Sequence, residues 1–522
     1  MTLRLKARDG TARARLRNLW ERIEKGAPGE HTSVVVPSLS FDREELAKIQ
    51  GIQFYEERLL FSVLRLQDPR ASVIFVTSQP PHPDVVSYYV GLLPGGARWD
   101  VERRLSLLSA YDASPRPLTE KILERPRLLE RIRRLVGDPA EAYLTCFNTT
   151  DLERRLADEL GIPLNGADPD LSWIGTKSGS RRVFEEASVP TGFGVTGVRT
   201  RSDVVRALDQ LAKAVPGARV AVIKLDDSFA GAGNALMDLP GVLPEDDTER
   251  ESALGRALQD LRPAAGESPD SYLGKLDSMG GIVEQFLENA DAEVLPSPSV
   301  QLRIDPEGGI HILSTHDQVL GGPIGQTYLG CRFPADAAHR GRIQEYALAV
   351  GRVLSGYGVI GRFAIDFICG AGGHEAVHAI EINLRMGGTT FPFMALASLV
   401  PGSLDPASGE FLAASGAHKY YFATDNLRSP AYQGLSPEDF FEIMEGSRLV
   451  FDSRTETGPV FHMIGALSEF GRIGVTSIAD SREDADRMYR DVIAALNREC
   501  PTDRDARSRP THPMGLPIAI ME

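Results

Sequence analysis

Oxygen-bearing side chains recur at strand spacing in two apolar segments of this chain. The segment HAIEINLRMGG (378–388) contains Glu381 and Asn383, and FAIDFIC (363–369) has Asp366 as its one charged residue. Alternate residues of a strand project from the same face. Carboxylate and amide oxygens are ligands that Mg²⁺ accepts beside phosphate oxygens. The spacing therefore predicts a divalent-cation site made by these three side chains.

Arg385 follows on the face shared by Glu381 and Asn383, where a guanidinium could hold a transferring phosphoryl group. A carboxylate in an apolar strand such as that of Asp366 needs a partner to offset its desolvation, and a metal ion would supply one. Taken singly, Asp366 could form a structural ion pair and Glu381 could be an exposed strand residue. The three side chains together favour metal binding.

The order strand–Asp–strand, then Glu-x-Asn-x-Arg and a Gly-Gly turn, resembles the metal and phosphate site of the ATP-grasp superfamily. The resemblance covers about residues 170–400. It implies an α/β (α+β) fold, namely an ATP-grasp fold with an N-terminal Rossmann-like pre-ATP-grasp domain, and the cofactors ATP and Mg²⁺. The segments SGSRRVFEEASVPTG and EINLRMGGTTFP are similar to those of peptide ligases of the pheganomycin-biosynthesis type.

The resemblance also implies the residues that hold the ATP phosphates. The family's lysine at the end of a central strand matches Lys224, and the small-residue loop after it matches Ser228, Gly231 and Gly233. Small residues let backbone N–H groups approach anionic oxygens. An earlier family lysine matches Lys177, for which an ordinary surface position is the alternative. Lys224 and Arg385 are the implied catalytic residues.

The family's adenine-binding strand matches IVEQFL, in which the implied residues are Glu284, Gln285 and Phe286. An acidic residue further on usually binds the ribose. Glu293 is the candidate, and Glu288 and Asp291 compete with it.

One position departs from the family. Relatives such as the D-alanine ligases carry an arginine two residues before the metal aspartate, where this chain has Ala364. Arg362 and Arg303 are the alternatives for a second clamp on an acyl phosphate.

A competing motif is Gly356-Tyr-Gly358-Val-Ile-Gly361, which matches the dinucleotide fingerprint G-x-G-x-x-G. That fingerprint requires a strand before it and a helix after it. Here a helical pattern precedes the glycines and a strand follows, so helix termination and a tight turn explain them better than a dehydrogenase does.

The chain alternates strand and helix patterns at first and has shorter alternating strands later. Strand patterns at 33–38, 72–78 and 142–148 with helical patterns between them indicate a parallel sheet. We predict an N-terminal α/β pre-ATP-grasp domain, a central and lid subdomain, a C-terminal ATP-grasp subdomain with the metal site, and an α/β extension with a tail. Their respective ranges are 1–165, 166–282, 283–415 and 416–522.

Local signals predict several elements near the site. A helix over 151–161 should end at Gly161, a helix over 202–215 should have Ser202 as its N-cap, and GIVEQFL should begin the third unit. The polar segment 239–280, rich in Gly and Pro around one helical stretch, should be a lid insertion.

Composition excludes several classes of protein. The chain has 522 residues and a formal net charge of -15, which argues against nucleic acid as a partner. Four scattered cysteines argue against a disulfide framework and favour a reducing cytoplasm. Neither a signal peptide nor an apolar run long enough to span a bilayer is present in the sequence.

The resemblance implies an ATP-dependent carboxylate–amine ligase that forms an amide through an acyl phosphate in peptide natural-product biosynthesis. Its substrates would be an amino acid or derivative as the carboxylate and an amino acid or peptide N-terminus as the amine, and the enzyme could be a homodimer. Alternatives are a carboxylase, an acyl-CoA synthetase and a non-catalytic nucleotide-binding module.

Overall fold

β-Branched runs in the N-terminal part form a four-stranded parallel sheet in the order β3-β2-β1-β4. Its strands are β1 (His31–Val36), β2 (Ala71–Thr77), β3 (Leu105–Ser109) and β4 (Ala142–Cys146). The three predicted strands are confirmed within about two residues at each start, and β3 had not been predicted. The helices of this part are α1 (Thr2–Glu24), α2 (Arg43–Ala47), α3 (Pro83–Gly91), α4 (Val101–Arg104), α5 (Leu118–Leu123), α6 (Pro126–Val136) and α7 (Asp151–Leu160), with 3₁₀ helices at Ile52–Gln67 and Pro139–Glu141.

The structure is a computed structural model. It describes residues 2–95, 100–227, 233–241, 244–263, 267–287, 295–321, 327–370 and 376–500. Some predicted site residues lie outside these ranges, as does the predicted tail from 501: they are Ser228, Gly231, Glu293 and the alternatives Glu288 and Asp291.

A five-stranded antiparallel sheet in the order β5-β9-β6-β7-β8 follows in the chain. Its strands are β5 (Gly194–Val198), β6 (Val220–Leu225), β7 (Asn234–Asp238), β8 (Arg262–Pro263) and β9 (Gly281–Gln285). Its helices are α8 (Lys177–Glu186), α9 (Arg201–Ala214), α10 (Asp247–Ala257) and α11 (Pro269–Met279), and 3₁₀ helices lie at Pro169–Gly175 and Leu258–Asp260.

Three local expectations for this region differ from the structure. The N-cap of α9 is Thr200, which forms a capping box with Asp203, so Ser202 is the second residue of the helix. The segment 239–280 contains two helices, α10 and α11. Strand β9 pairs with β5 and β6, because its apolar residues complete the core of this sheet, and it therefore does not begin the third unit.

The third sheet contains ten strands in the described part of the chain. They are β10 (Pro298–Ile304), β11 (Ile310–Gly321), β12 (Thr327–Phe333), β13 (Gly361–Cys369), β14 (Val377–Asn383), β15 (Gly402–Leu404), β16 (Phe411–Ala413), β17 (His418–Arg428), β18 (Gly458–His462) and β19 (Arg472–Ala479). The accompanying helices are α12 (Ala337–Tyr357), α13 (Thr390–Leu399), α14 (Pro437–Gly446), α15 (Ala466–Phe470) and α16 (Arg482–Glu499), with a 3₁₀ helix at Pro430–Tyr432. Strand β12 pairs with β17, so the residues after 415 continue this sheet. The division into four ranges remains a prediction.

The glycines of the dinucleotide-like motif have structural roles. Helix α12 ends at Gly358, whose φ of 83° is the left-handed cap conformation. A side chain at Gly361 would lie 2.9 Å from the Cα atom of Gly166, so the missing Cβ lets the N-terminal part approach β13.

One apolar core joins the first sheet to the third. Val35 and Phe75 of the first sheet belong to the same buried cluster as Phe333 and Tyr421 of the third. The two sheets therefore pack against each other through this shared core. No helix of the described residues combines the length and the apolar character that crossing a membrane requires.

Candidate active site

Asp366, Glu381 and Asn383 converge on one cavity of about 440 Å³. Asp366 and Glu381 are directly opposite each other in the antiparallel pair β13–β14, and Asn383 is two residues further along β14. The Asn383 amide nitrogen donates to Asp366 Oδ2 at 3.0 Å and to Glu381 Oε1 at 3.1 Å. The sequence-based grouping of these three residues matches this geometry.

Alternation along β13 separates the core from the cavity. Phe363, Ile365 and Phe367 belong to the buried core, whereas Ala364 and Asp366 line the cavity. This is the division that a period of two residues predicts. The apolar face fixes the strand in place, and the polar face is thereby presented to the cavity.

The two carboxylates interact with different charges. Burial and the neighbouring charge of Glu381 raise the pKa of Asp366. Burial alone would also raise the pKa of Glu381. The charges of Lys177, its ion-pair partner, and of Lys224 outweigh burial, so the pKa of Glu381 is lowered. A pair of adjacent buried carboxylates with one unmatched negative charge favours a bound cation.

Lys177 is the first residue of helix α8, and the polar groups around that helix start hold it. The Thr176 hydroxyl caps the helix by accepting from the Gly179 N–H at 3.0 Å. The Asp226 carboxylate accepts from the Ser178 N–H at 2.8 Å, where an anion also suits the helix dipole. Lys177 is buried, so an ordinary surface position is excluded.

Lys224 lines the same cavity from β6. Its Nζ lies 2.7 Å from Glu284 Oε2, and Arg181 Nη1 lies 2.7 Å from the other oxygen of that carboxylate. Glu284 thus pairs with two cations: Lys224, which lines the cavity, and Arg181, which does not. Asn234, the cross-strand partner of Lys224 on β7, also lines the cavity and had not been predicted.

The predicted adenine-binding residues lie beside this cavity, and the described lining does not include them. The N–H groups of Gln285 and Phe286 donate to the carbonyls of Phe193 and Val220, at 3.0 and 3.2 Å. A purine at this strand would therefore be read by carbonyl oxygens or by later residues.

Gly233 closes the base of the predicted phosphate loop. Its carbonyl accepts from the Leu225 N–H at 3.0 Å and from the Tyr272 hydroxyl at 2.8 Å. These bonds fix the point at which the loop rejoins β7.

Arg385 lines the cavity next to Asn383, as predicted, and its guanidinium lies 5.6 Å from the ring centre of Phe41 and 6.0 Å from that of Phe147. Burial lowers the pKa of Arg385. Arg303 and Arg362 do not line this cavity but a neighbouring one, so neither occupies the position that Ala364 leaves open.

The opposite wall of the cavity comes from residues that sequence reasoning missed. Tyr55 and Arg58 belong to the 3₁₀ helix at Ile52–Gln67, and Asp425 and Arg472 belong to β17 and β19. Arg58 and Asp425 form a buried ion pair at 3.3 Å. The sequence contained one signal that could have indicated this wall: the charged run Glu56-Glu57-Arg58 lies inside an otherwise apolar segment.

The oxygens of Asp366, Glu381 and Asn383 fit a magnesium ion. The Asn383 amide now bridges the two carboxylates and would present its oxygen after rotation about its last side-chain bond. Within the described ranges, no three His, Cys, Asp or Glu side chains are grouped as metal ligands. A cation here would therefore complete its shell with phosphate and water oxygens.

Comparison with known proteins agrees with this site. A family model described as "IQCH-like, ATP-grasp" matches residues 171–257 and 251–405, and one described as "PGM1 C-terminal domain" matches 439–492. The chain is 31% identical over 489 residues to the L-propargylglycine–L-glutamate ligase of Streptantibioticus cattleyicolor, covering 92% of this chain and 97% of that protein. This chain belongs to the ATP-grasp carboxylate–amine ligases.

More distant proteins share parts of this ligase or its fold. IQ motif-containing protein H of Danio rerio is 24% identical over 394 residues, which is 67% of the ligase but 36% of that protein. The biotin carboxylase domain of Hydrogenobacter thermophilus 2-oxoglutarate carboxylase, solved with MgADP, ADP and bicarbonate, has a TM-score of 0.52 at 13% identity and covers 88% of the ligase and 89% of that domain. The Campylobacter jejuni biotin carboxylase complex has a TM-score of 0.51 at 12% identity. The match covers 89% of the ligase and 91% of that chain. Both confirm the ATP-grasp fold.

Proposed function

We propose that this ligase uses ATP and Mg²⁺ to convert a substrate carboxylate to an acyl phosphate and then joins it to the amine of an amino acid or peptide. The observation that carries the proposal is the meeting of Asp366, Glu381, Asn383, Lys177 and Lys224 in one buried cavity. These are the charges that a nucleoside triphosphate tail and its cation require.

Each side chain has a distinct task in this proposal. A magnesium ion held by Asp366, Glu381 and Asn383 would neutralise phosphate charge. Lys177 and Lys224 hold the phosphate oxygens, and Arg385 stabilises the charge on the transferring group. A carboxylate oxygen of the substrate bonds to the γ-phosphorus as the bond to ADP breaks. The amine then bonds to the acyl carbon, loses a proton, and phosphate leaves.

Water must be kept from the acyl phosphate, which hydrolyses readily. The cavity lies between walls from the N-terminal part, with Tyr55 and Phe147, and the C-terminal part, with Tyr328 and Arg472. The relative's L-propargylglycine and L-glutamate indicate two amino acids, and we extend this class to the present ligase, with natural-product biosynthesis as its setting.

Product analysis tests the proposal. The full chain is incubated with ATP, Mg²⁺ and an amino-acid pool, and products are identified by mass spectrometry. With a substrate carboxylate labelled with ¹⁸O, one label should appear in the released phosphate. Release of AMP, or ATP hydrolysis that no amine accelerates and no amide accompanies, would contradict the proposal. Glu381→Ala is the inactive control.

A further inference from the structure

A second cavity, of about 190 Å³, lies between β4 and the start of β13 and contains a cluster of arginines. Arg65, Arg303 and Arg362 line it; we call these three residues the arginine cluster. Phe147 and Arg385 line both this cavity and the active-site cavity, so the two are adjacent.

Two members of the arginine cluster face each other without an acidic residue between them. Arg303 on β10 is directly opposite Arg362 on β13, and like charges in such positions destabilise a sheet. Arg362 Nη1 and Arg303 Nε are buried without a hydrogen-bond partner. Glu24, at 4.0 Å, is the carboxylate paired with Arg303, and the ion pairs of the described chain include none to Arg362.

The positive charges of the arginine cluster repel one another and destabilise the free protein. Burial, together with the positive charges of Arg303 and Arg65, lowers the pKa of Arg362 to about 9. Arg65 donates to the Ser33 hydroxyl, which carries no neutralising charge. A bound carboxylate would offset this repulsion, because a guanidinium fork pairs with both carboxylate oxygens.

The arginine cluster and the proposed reaction centre meet along one face of β13. Arg362 and Asp366 are four residues apart on β13, so they share one face at a separation of about 13 Å along the strand. Ala364, between them, lines the active-site cavity. Because Arg385 lines both cavities, a molecule whose reacting group lies near Arg385 can place another charged group among the arginines.

We propose that the arginine cluster binds the side-chain carboxylate of an acidic amino-acid substrate and gives the ligase its preference for that class. This assignment rests on the proposed function for the identity of the reaction. It makes the cluster a specificity site, distinct from Arg385 and from the lysines that hold phosphate.

L-Glutamate and L-glutamine test the assignment, because they have nearly the same shape and differ in one charge. Their binding to the full chain is measured by calorimetry with Mg²⁺ and a non-hydrolysable ATP analogue present. We expect wild type to prefer L-glutamate and the ratio of the two affinities to fall at least about tenfold in R362Q and in R303Q. R352Q, on the exposed face of α12, should keep the wild-type ratio.

Thermal denaturation of the free protein separates binding from folding. R362Q removes an uncompensated cation, so its melting temperature should equal or exceed that of wild type, while the stabilisation by L-glutamate should be lost. A lower melting temperature with an unchanged glutamate-to-glutamine ratio would show that Arg362 is structural and would overturn the assignment.

Other outcomes are also decisive. If wild type does not distinguish the two amino acids and sodium sulfate displaces both, the cluster is a general anion site and the assignment fails. If the protein forms no amide but binds L-glutamate in an Arg362-dependent manner, the assignment stands and the proposed ligase reaction fails. If the protein forms an amide and R362Q keeps the preference for acidic amino acids, the assignment of the arginine cluster fails. The proposed ligase reaction then stands.

Discussion

Lys177 and Glu381 lie 204 positions apart in the chain and form a partly buried ion pair at the start of helix α8. The lysine neutralises a carboxylate that the proposed cation would also use. In the proposed function, binding of nucleotide and metal would require Lys177 Nζ to exchange the carboxylate for phosphate oxygens, and the pair keeps both charges compensated before that exchange.

The first prediction concerns this lysine. Lys177→Met should lower kcat/KM for ATP by about 10²-fold or more, because one preorganised cation for the phosphate oxygens is lost. Steady-state ADP release at varied ATP concentrations measures the effect. Lys48→Met, at an exposed position, is the control, and a Lys177→Met enzyme with wild-type ATP kinetics would remove Lys177 from the site.

The second prediction concerns Asp366, whose raised pKa shows that its ionised form is unfavourable in the free protein. Asp366→Asn removes the repulsion with Glu381 and should leave the melting temperature of the free protein unchanged or raised. It should weaken Mg²⁺-dependent binding of ADP at least about tenfold, since a ligand oxygen with its charge is lost.

Calorimetric titration of ADP with and without Mg²⁺ checks this outcome. Glu345→Gln, on the exposed surface of α12, serves as the matched carboxylate control. Equal ADP affinity of Asp366→Asn and wild type in the presence of Mg²⁺ would contradict a metal site at Asp366.

The third prediction compares two cations that share one carboxylate. Lys224 and Arg181 both lie 2.7 Å from Glu284, but only Lys224 lines the active-site cavity. Lys224→Met should reduce turnover about 10²-fold with little change in melting temperature, because Arg181 still compensates Glu284. Arg181→Met should mainly lower the melting temperature. The reverse pattern would assign the structural role to Lys224.

The fourth prediction concerns pH. Burial, with a smaller contribution from the charge of Glu56, raises the pKa of Glu57 to about 7. The folded state thus holds this proton more tightly than the unfolded state, so the stabilisation is complete below about pH 4.5 and is lost as pH rises through about 7. The free energy of unfolding falls by an amount on the order of 3 kcal/mol over this range.

Glu57→Gln keeps an acceptor for the Gly465 N–H, which donates to Glu57 at 3.0 Å, but cannot ionise. The difference in melting temperature between pH 5 and pH 8 should therefore be smaller for Glu57→Gln than for wild type and for the exposed control Glu130→Gln. A difference equal in all three proteins would show that Glu57 does not titrate in this range.

Local patterns were sufficient for much of the fold. The capped helix α7, ending at Gly161 with a φ of 70°, and the two faces of β13 follow from rules that involve neighbouring residues only. The predicted N-cap Ser202 was wrong because Thr200 is also a good cap, and its hydroxyl meets Asp203 three residues on.

Strand β9 shows the limit of such patterns. Its residues are as apolar as those of other strands, so nothing local assigns it to one sheet or the other. Strand β9 lies between β5 and β6. This position depends on how all strands and helices of that sheet pack into one core.

The sequence by itself determined which of the predicted site residues share a strand face, because alternation at a period of two is a property of the strand alone. Tertiary structure decided which faces meet. The opposition of Asp366 to Glu381, the ion pair of Lys177 with Glu381, and the facing of Arg303 and Arg362 depend on strand register and helix placement. Register is fixed by burying the apolar faces of all strands together, which no single segment encodes.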